Sequence, residues 1–378
     1  MTTPTPFERP LYVTRPVLPP LGDYVALLES VWESHALTNM GPMHQVLERA
    51  IAERIGMGEV ALWNNGTAAL MGAVSALDLR GKVVVTPFTF PATVHAIALL
   101  GLEPVFADID DETLTLDPAR IAEVLDDEVT GIMGTHVYGR LCDTAGIADL
   151  AAGSGLKVIY DAAHSFSRNG AIFPDDPTVL GDVTILSFHA TKLFHSVEGG
   201  ATIAVDQDVD RRLRLLRNFG FASESQVELV GMNGKMSELH AAMGMAMLGM
   251  IEGEIAQRDG VAAAYVSGLR GMNGIRIVSG DGEAKQYFVV RVDPESFGST
   301  RDELFDTLRS MNVVARKYFS PLCSDMEPYA GLPSARGLPI ARKVAAEVLA
   351  LPFYGGMSAD DATRITEIIA WHRDGHRR

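Results

Sequence analysis

The chain has 378 residues, of which 47 % are apolar, 21 % charged and only 7 % aromatic, the balance of an ordinary globular protein. Its 32 lysines and arginines against 48 aspartates and glutamates leave a net charge of −16. No long Lys/Arg run supplies the basic face that a nucleic acid or an anionic membrane would require. At about 150 residues per domain the length points to two domains.

The stretch from Met1 to Pro16 is rich in Pro and Thr and lacks the apolar core of a signal peptide. Apolar stretches reach about ten residues, too short to cross a bilayer, so a cytoplasmic location is the expectation. Cys142 and Cys323 lie far apart, fit no zinc or redox spacing, and are expected to be reduced. The ten histidines contain no HExxH pattern, and no metal site is expected.

The elements follow in order. A short strand at Val60–Trp63 runs into Asn64-Asn65-Gly66-Thr67 and an Ala-rich helix. Val83–Val85 leads through Thr86-Pro87 to a helix over Ala92–Leu100, and Pro104–Ala107 ends at Asp108. A helix over Asp117–Leu125 precedes a strand at Gly131–Val137. Lys157–Tyr160 ends at Asp161, and Val183–Leu186 ends at Ser187. Continuous apolar runs separated by helix-length segments mean buried parallel strands with crossover helices. Ala201–Val205 reads as one more strand, and the tight Glu198-Gly199-Gly200 turn before it is compatible with an antiparallel partner.

From Ser237 the pattern predicts one long helix to Arg258, apolar on every side over its first half and so buried or at an interface. Mixed elements follow: a helix to Leu269, strands at Ile275–Val278 and Tyr287–Val292, and a helix over Thr300–Met311. The change of pattern places a large α/β domain at residues 1–255 and a smaller α+β domain at 256–378.

Ligands of such sheets bind beyond the carboxyl ends of the strands, where Asp161, His164, Ser187, His189, Lys192 and His136 stand. A lysine among apolar neighbours, followed by a Gly pair that lets backbone approach closely, suits a Schiff-base nucleophile, although a surface lysine is the ordinary reading. Asp161 suits either an N-cap or a partner for a protonated pyridine nitrogen. The start of the Gly66-Thr67-Ala68 helix suits either a phosphate or a simple cap. Neither GxGxxG after a strand nor GxxxxGK[ST] nor GxSxG occurs, which weakens dinucleotide, P-loop and hydrolase readings.

Gly66, Asp161 and Lys192, in that order, resemble a fold-type I pyridoxal-phosphate enzyme. More narrowly, the chain resembles the DegT/DnrJ/EryC1/StrS family of sugar aminotransferases over nearly its whole length. The matching stretches include Leu37–Pro42, Asn65–Leu70, Thr86–Thr93, Glu103–Asp110, Asp161–His164, Ser187–Lys192, Glu198–Gly200 and Gly231–Ala242. The resemblance implies a mainly parallel seven-stranded sheet flanked by helices.

By position it implies that Lys192 holds pyridoxal 5′-phosphate and shuttles a proton, and that Asp161 pairs with the ring nitrogen. It implies further that Gly66, Thr67, Ala68 and Ser187 bind the phosphate, that Phe90 stacks on the ring, and that His164 lies at the ring edge. Asn233 would reach the cofactor of a second subunit, which implies a homodimer. Four positions depart from the family's usual residues: Asn65 for Ser, His164 for Gln, Lys235 for Arg and Cys323 for His.

The expected reaction moves an amino group from L-glutamate, through the pyridoxamine form, to a nucleotide-linked keto sugar. The His189-Ala190-Thr191-Lys192 and Glu198-Gly199-Gly200 pattern resembles the branch that aminates C4 of a dTDP-4-keto-6-deoxyhexose. The alternatives are C3 amination of a 3-keto sugar, amination of a keto-inositol, and a PLP-binding regulatory protein without turnover. The anionic ligands need local positive charge, for which Lys192, the helix start at Gly66, Lys235, Arg211–Arg217 and Arg316-Lys317 are candidates.

Overall fold

The computed structural model describes residues 3–166, 176–282 and 284–376. Its centre is a seven-stranded sheet preceded by a two-residue strand, β1 (Leu11–Tyr12), and two helices, α1 (Leu21–Ser34) and α2 (Pro42–Ile55). The sheet strands are β2 (Glu59–Trp63), β3 (Lys82–Val85), β4 (Glu103–Phe106), β5 (Val129–Thr135), β6 (Lys157–Asp161), β7 (Val183–Ser187) and β8 (Gly200–Ala204). Their spatial order is β2-β8-β7-β6-β5-β3-β4, and β8 runs antiparallel to both neighbours. The other six point the same way, as the long crossovers demand.

Burial on both faces explains the continuous apolar runs. Val83 and Val85 join the cluster under α3 (Gly66–Ala76) and α4 (Pro91–Ala98), whereas Val84 packs on the other face with Ile132, Val158 and Ile147. Ile147 belongs to α6 (Thr144–Ser154), which follows the short α5 (Pro118–Ala122). α2 covers Val60, Leu62, Ala201 and Ile203 on that same outer layer, together with α8 (Glu238–Leu248). Between them in sequence lie α7 (Gln207–Leu216) and a hairpin of β9 (Phe221–Ser223) and β10 (Gln226–Val227).

The single helix expected over 237–258 is two helices. α8 ends at Leu248, and α9 (Ile251–Leu269) runs on well past Arg258. At the break the Met250 N–H bonds three residues back to Met247, the tightened turn that closes a helix. Gly249 sits at this point, where its weak helix preference lowers the cost of the change.

Position 255 therefore falls inside α9. That helix packs with β11 (Ile275–Ser279), β12 (Phe288–Val292), β14 (Val348–Leu351) and the helix Ala359–His376 around Tyr265, Phe288 and Ile365. The amino-terminal segment joins the same lobe. Phe7 is in its core, and β1 pairs with β13 (Val313–Val314). The expected assignment of all of residues 1–255 to the large domain does not describe this packing, because chain order and spatial layer diverge at the amino terminus.

Candidate active site

The carboxyl ends of β2, β5, β6 and β7 meet along one edge of the sheet, where they border a cavity of about 350 Å³. Gly200 pairs with Trp63 on one side and Ser187 on the other. A Cβ there would lie 2.8 Å from the Asn65 carbonyl carbon, so glycine lets the turn after β2 pass directly over the sheet. Gly66 is similarly close to Ser187, whose Cβ would be 3.1 Å from an added Cβ.

That turn begins α3. Asn65 is its N-cap and accepts the Ala68 amide on Oδ1 at 2.8 Å, while its carbonyl accepts the Ala69 amide. Gly66, Thr67 and Ser187 all line the cavity. Ala68 departs from the expectation: its amide is committed to Asn65, and it is not among the described residues that line the cavity. Asn65 thus caps the helix through Oδ1, and its carboxamide still carries a donor in Nδ2.

Asp161 closes β6 and lines the cavity with both carboxylate oxygens engaged. Oδ2 accepts the Thr93 hydroxyl at 2.7 Å, and Oδ1 accepts the Ala163 amide at 3.0 Å. No helix starts here, so Asp161 is not an N-cap. Thr93 leads into a chain of hydroxyls, Thr93–Thr89 at 2.9 Å and Thr89–Thr135 at 3.0 Å. Burial pushes the Asp161 carboxyl up from its usual range, against these hydrogen bonds and the nearby Lys192 charge.

Lys192 stands in the loop between β7 and β8, its amide bonded to the His189 carbonyl at 2.8 Å. Burial lowers its ammonium pKa to about 8, opposed by Asp161. His164 accepts the Tyr138 amide on Nδ1 at 3.2 Å. Burial, then Lys192, drive its pKa well below the ordinary value, so the ring is neutral and carries its proton on Nε2. It lies parallel to Phe319, with ring centres 6.0 Å apart, and edge-on to Tyr287. Phe90 lines the cavity while 57 % exposed, an aromatic face without a full set of neighbours.

The small lobe supplies Tyr287, Tyr318 and Phe319 to the cavity wall, and the Tyr138 hydroxyl donates to the Tyr318 carbonyl. Sequence reasoning missed these residues and Thr93. Asn233 is not among the described residues that line this cavity; it is exposed, with its carbonyl accepting from Asn64 Nδ2 at 3.2 Å. Cys142 and Cys323 are free and buried, and Cys323 Sγ donates to the Thr89 carbonyl at 3.2 Å behind the cavity.

The cationic cluster at Arg211–Arg217 is otherwise engaged. Arg211 pairs with Glu228, Arg214 with Glu48 and Asp210, and Arg217 with Glu48. Lys317 pairs with Asp302, and Lys235 rests on the Phe219 ring at 4.4 Å. Among the described residues no group of three or more His, Cys, Asp or Glu side chains could hold a metal ion.

A lysine in the loop after β7, a carboxylate at the end of the adjacent β6 and a helix start after β2 thus border one cavity. Residues 22–370 match the DegT/DnrJ/EryC1/StrS aminotransferase family. The chain belongs to that family. It is 42 % identical to the dTDP-4-amino-4,6-dideoxy-D-glucose transaminase of Shigella dysenteriae, over 96 % of this chain and 99 % of that one. The enzyme of the same name from Escherichia coli is 38 % identical over 96 % and 98 %. Among solved structures, DesI in the presence of its TDP-sugar product superposes with a TM-score of 0.92 at 34 % identity, covering 99 % of this chain and 96 % of that one.

This protein is therefore a fold-type I aminotransferase, and its cofactor is pyridoxal 5′-phosphate. The residues present fit that group. Cavity, amine and carboxylate coincide, and the amides of Gly66 and Thr67 stand at a helix start, where such amides lack intrahelical partners and favour an anion. Among the described residues no helix is long and apolar enough to cross a membrane.

Proposed function

We propose that this aminotransferase moves the amino group of L-glutamate to C4 of a dTDP-4-keto-6-deoxyhexose in aminodeoxysugar synthesis. The observation that carries the reading is that Lys192, Asp161 and the helix start at Gly66 line one cavity. The match of 42 % identity to a dTDP-4-amino-4,6-dideoxy-D-glucose transaminase over almost the whole chain supports amination at C4 rather than C3.

Bound here, pyridoxal phosphate supplies an electron sink for the carbon that loses and regains a proton. Lys192 would hold the cofactor covalently, and its Nζ would be the group that takes up and gives back the proton of the glutamate Cα. A pKa near 8 leaves a useful fraction of neutral amine at physiological pH for that task.

Asp161 would keep the ring nitrogen protonated, with the Thr93 hydroxyl and the Ala163 amide favouring the ionised carboxylate against burial. Gly66, Thr67 and Ser187 would hold the phosphate, Phe90 would offer an aromatic face to the ring, and neutral His164 would offer Nε2–H as a donor. The wall of Tyr287, Tyr318 and Phe319 excludes water from the lysine.

Two further parts belong to this reading. The enzyme acts as a cytoplasmic homodimer in which Asn233 faces the other subunit's cavity. The exposed Trp32, Leu21 and Leu239, together with Phe219, Phe221 and Val230 around the β9–β10 hairpin, form apolar surface suited to a second copy. The division between lobes falls at the α8–α9 break.

Incubation with glutamate and dTDP-4-keto-6-deoxyglucose, followed by NMR of the product, tests the substrate: nitrogen at C3, or none, overturns it. Borohydride reduction should fix the cofactor to wild type and not to Lys192→Ala, and fixation to the variant overturns the role of Lys192. Scattering mass in solution tests the dimer.

A further inference from the structure

Gln286 stands just before β12 and is 3 % exposed, yet it is not among the described residues that line the cavity. Its Oε1 accepts the Leu193 amide at 2.7 Å, and its Nε2 donates to the Thr191 carbonyl at 3.0 Å. Those two backbone groups belong to the residues on either side of Lys192. A carboxamide presents a donor and an acceptor from one planar group, and both partners here fix which atom is which. The loop from Phe188 to Gly199 contains neither helix nor strand, so it lacks the repeating ladder that holds regular elements in place.

Gln286 is itself braced. Arg258 Nη1 donates to the carbonyls of Lys285 and Gln286 at 2.7 and 3.4 Å. Arg258 Nε donates to Glu254 Oε1 at 2.7 Å, and the same oxygen accepts the Gly355 amide at 3.0 Å. Both charged side chains are buried on α9, where a satisfied pair is costly to disturb. The chain of contacts therefore runs from the core of the small lobe, through Gln286, to the peptide groups that carry Lys192.

We propose that Gln286 is a positioning residue for Lys192, clamping the backbone on both sides of it so that the amine is presented to the cavity only when the small lobe is docked. This rests on Lys192 being the residue that holds the cofactor. Lysine has a long flexible stem, and fixing its peptide removes the largest lever arm from the motion of Nζ. A displacement of about 1 Å in a reacting group costs up to about 100-fold in rate. Loss of the clamp also leaves a buried carbonyl and a buried amide unpaired.

The test is Gln286→Glu, which keeps shape and length. As a carboxylate it still accepts from Leu193 but presents a lone pair to the Thr191 carbonyl; once protonated it regains donor and acceptor together. Gln286→Leu lacks both at every pH, and thermal unfolding of each variant reports whether the fold is kept.

Two quantities are measured against pH: the dissociation constant of pyridoxal phosphate from the cofactor-free proteins, by absorbance titration, and kcat against KM for glutamate. For Gln286→Glu the expected deficit relative to wild type is about 10- to 100-fold at alkaline pH in affinity and kcat, with KM much less affected. The deficit should shrink as pH falls, while that of Gln286→Leu stays. A Glu variant indistinguishable from wild type overturns the proposal, as does a deficit that ignores pH and equals that of the Leu variant. If Lys192→Ala still fixes cofactor on borohydride reduction, the underlying assignment of Lys192 fails instead, and the two failures are thereby distinguished.

Discussion

The hydroxyl of Thr93 is the feature on which the ionisation of Asp161 most directly depends. Replacing Thr93 with Val keeps the branched shape and deletes one hydrogen bond of 2.7 Å to a buried carboxylate. Hydrogen bonds to charged groups contribute about 1.5–3 kcal/mol. At 1.36 kcal/mol per factor of ten, that is about 10- to 150-fold in any step that requires Asp161 ionised.

The sign follows from burial. The Asp161 carboxyl is already pushed up, so its charged form is lost as pH falls through a raised pKa, and removing the Thr93 donor raises it further. The acid limb of kcat/KM for the glutamate half-reaction should therefore move to higher pH, with the plateau at alkaline pH much less affected. Thr93→Ser, which retains the donor, should stay close to wild type. An acid limb unmoved in Thr93→Val would refute the claim that this hydroxyl holds the carboxylate ionised.

Lys192 gives a second pH signature. In the cofactor-free protein, capture of pyridoxal phosphate requires the neutral amine, so its rate should rise to a plateau through a midpoint near pH 8. Asp161→Asn removes the charge that raises this pKa and should shift the midpoint downward in stopped-flow traces. Two glycines separate packing from propensity. A Cβ at Gly72 would stand 2.3 Å from the ring of buried Trp63, so Gly72→Ala should destabilise by about 1–3 kcal/mol in urea unfolding. Gly260, at the middle of α9 on its exposed side with nothing within 4 Å of an added Cβ, should instead gain up to about 1 kcal/mol as Ala.

Much of the site was legible because its carriers are local. An apolar run ending in Asp161, a second ending at Ser187, and a short strand followed by Asn65-Gly66-Thr67 each announce a strand end in a few residues, and strand ends are where these sheets bind ligands. The Lys192 loop was marked by its Gly pair, and the structure shows why: Gly200 lies under the turn at Asn65. The misread helix over 237–258 has the opposite cause. Apolar residues surround its first half, and periodicity cannot register a two-residue interruption at the end of such a pattern.

The sequence by itself determined the alternating layers, the order of helix-start turn, acid and lysine, and an overall acidity that works against extended polyanions. Tertiary structure alone decided where the charges go. Arg214 and Arg217, free cations on paper, are tied to Glu48. It also decided what surrounds the lysine: Thr93 reaching Asp161, and Tyr287, Phe319 and Gln286 arriving from the other lobe. Such contacts join residues tens to more than a hundred positions apart, and burial patterns report how much of a side chain is hidden without reporting what hides it.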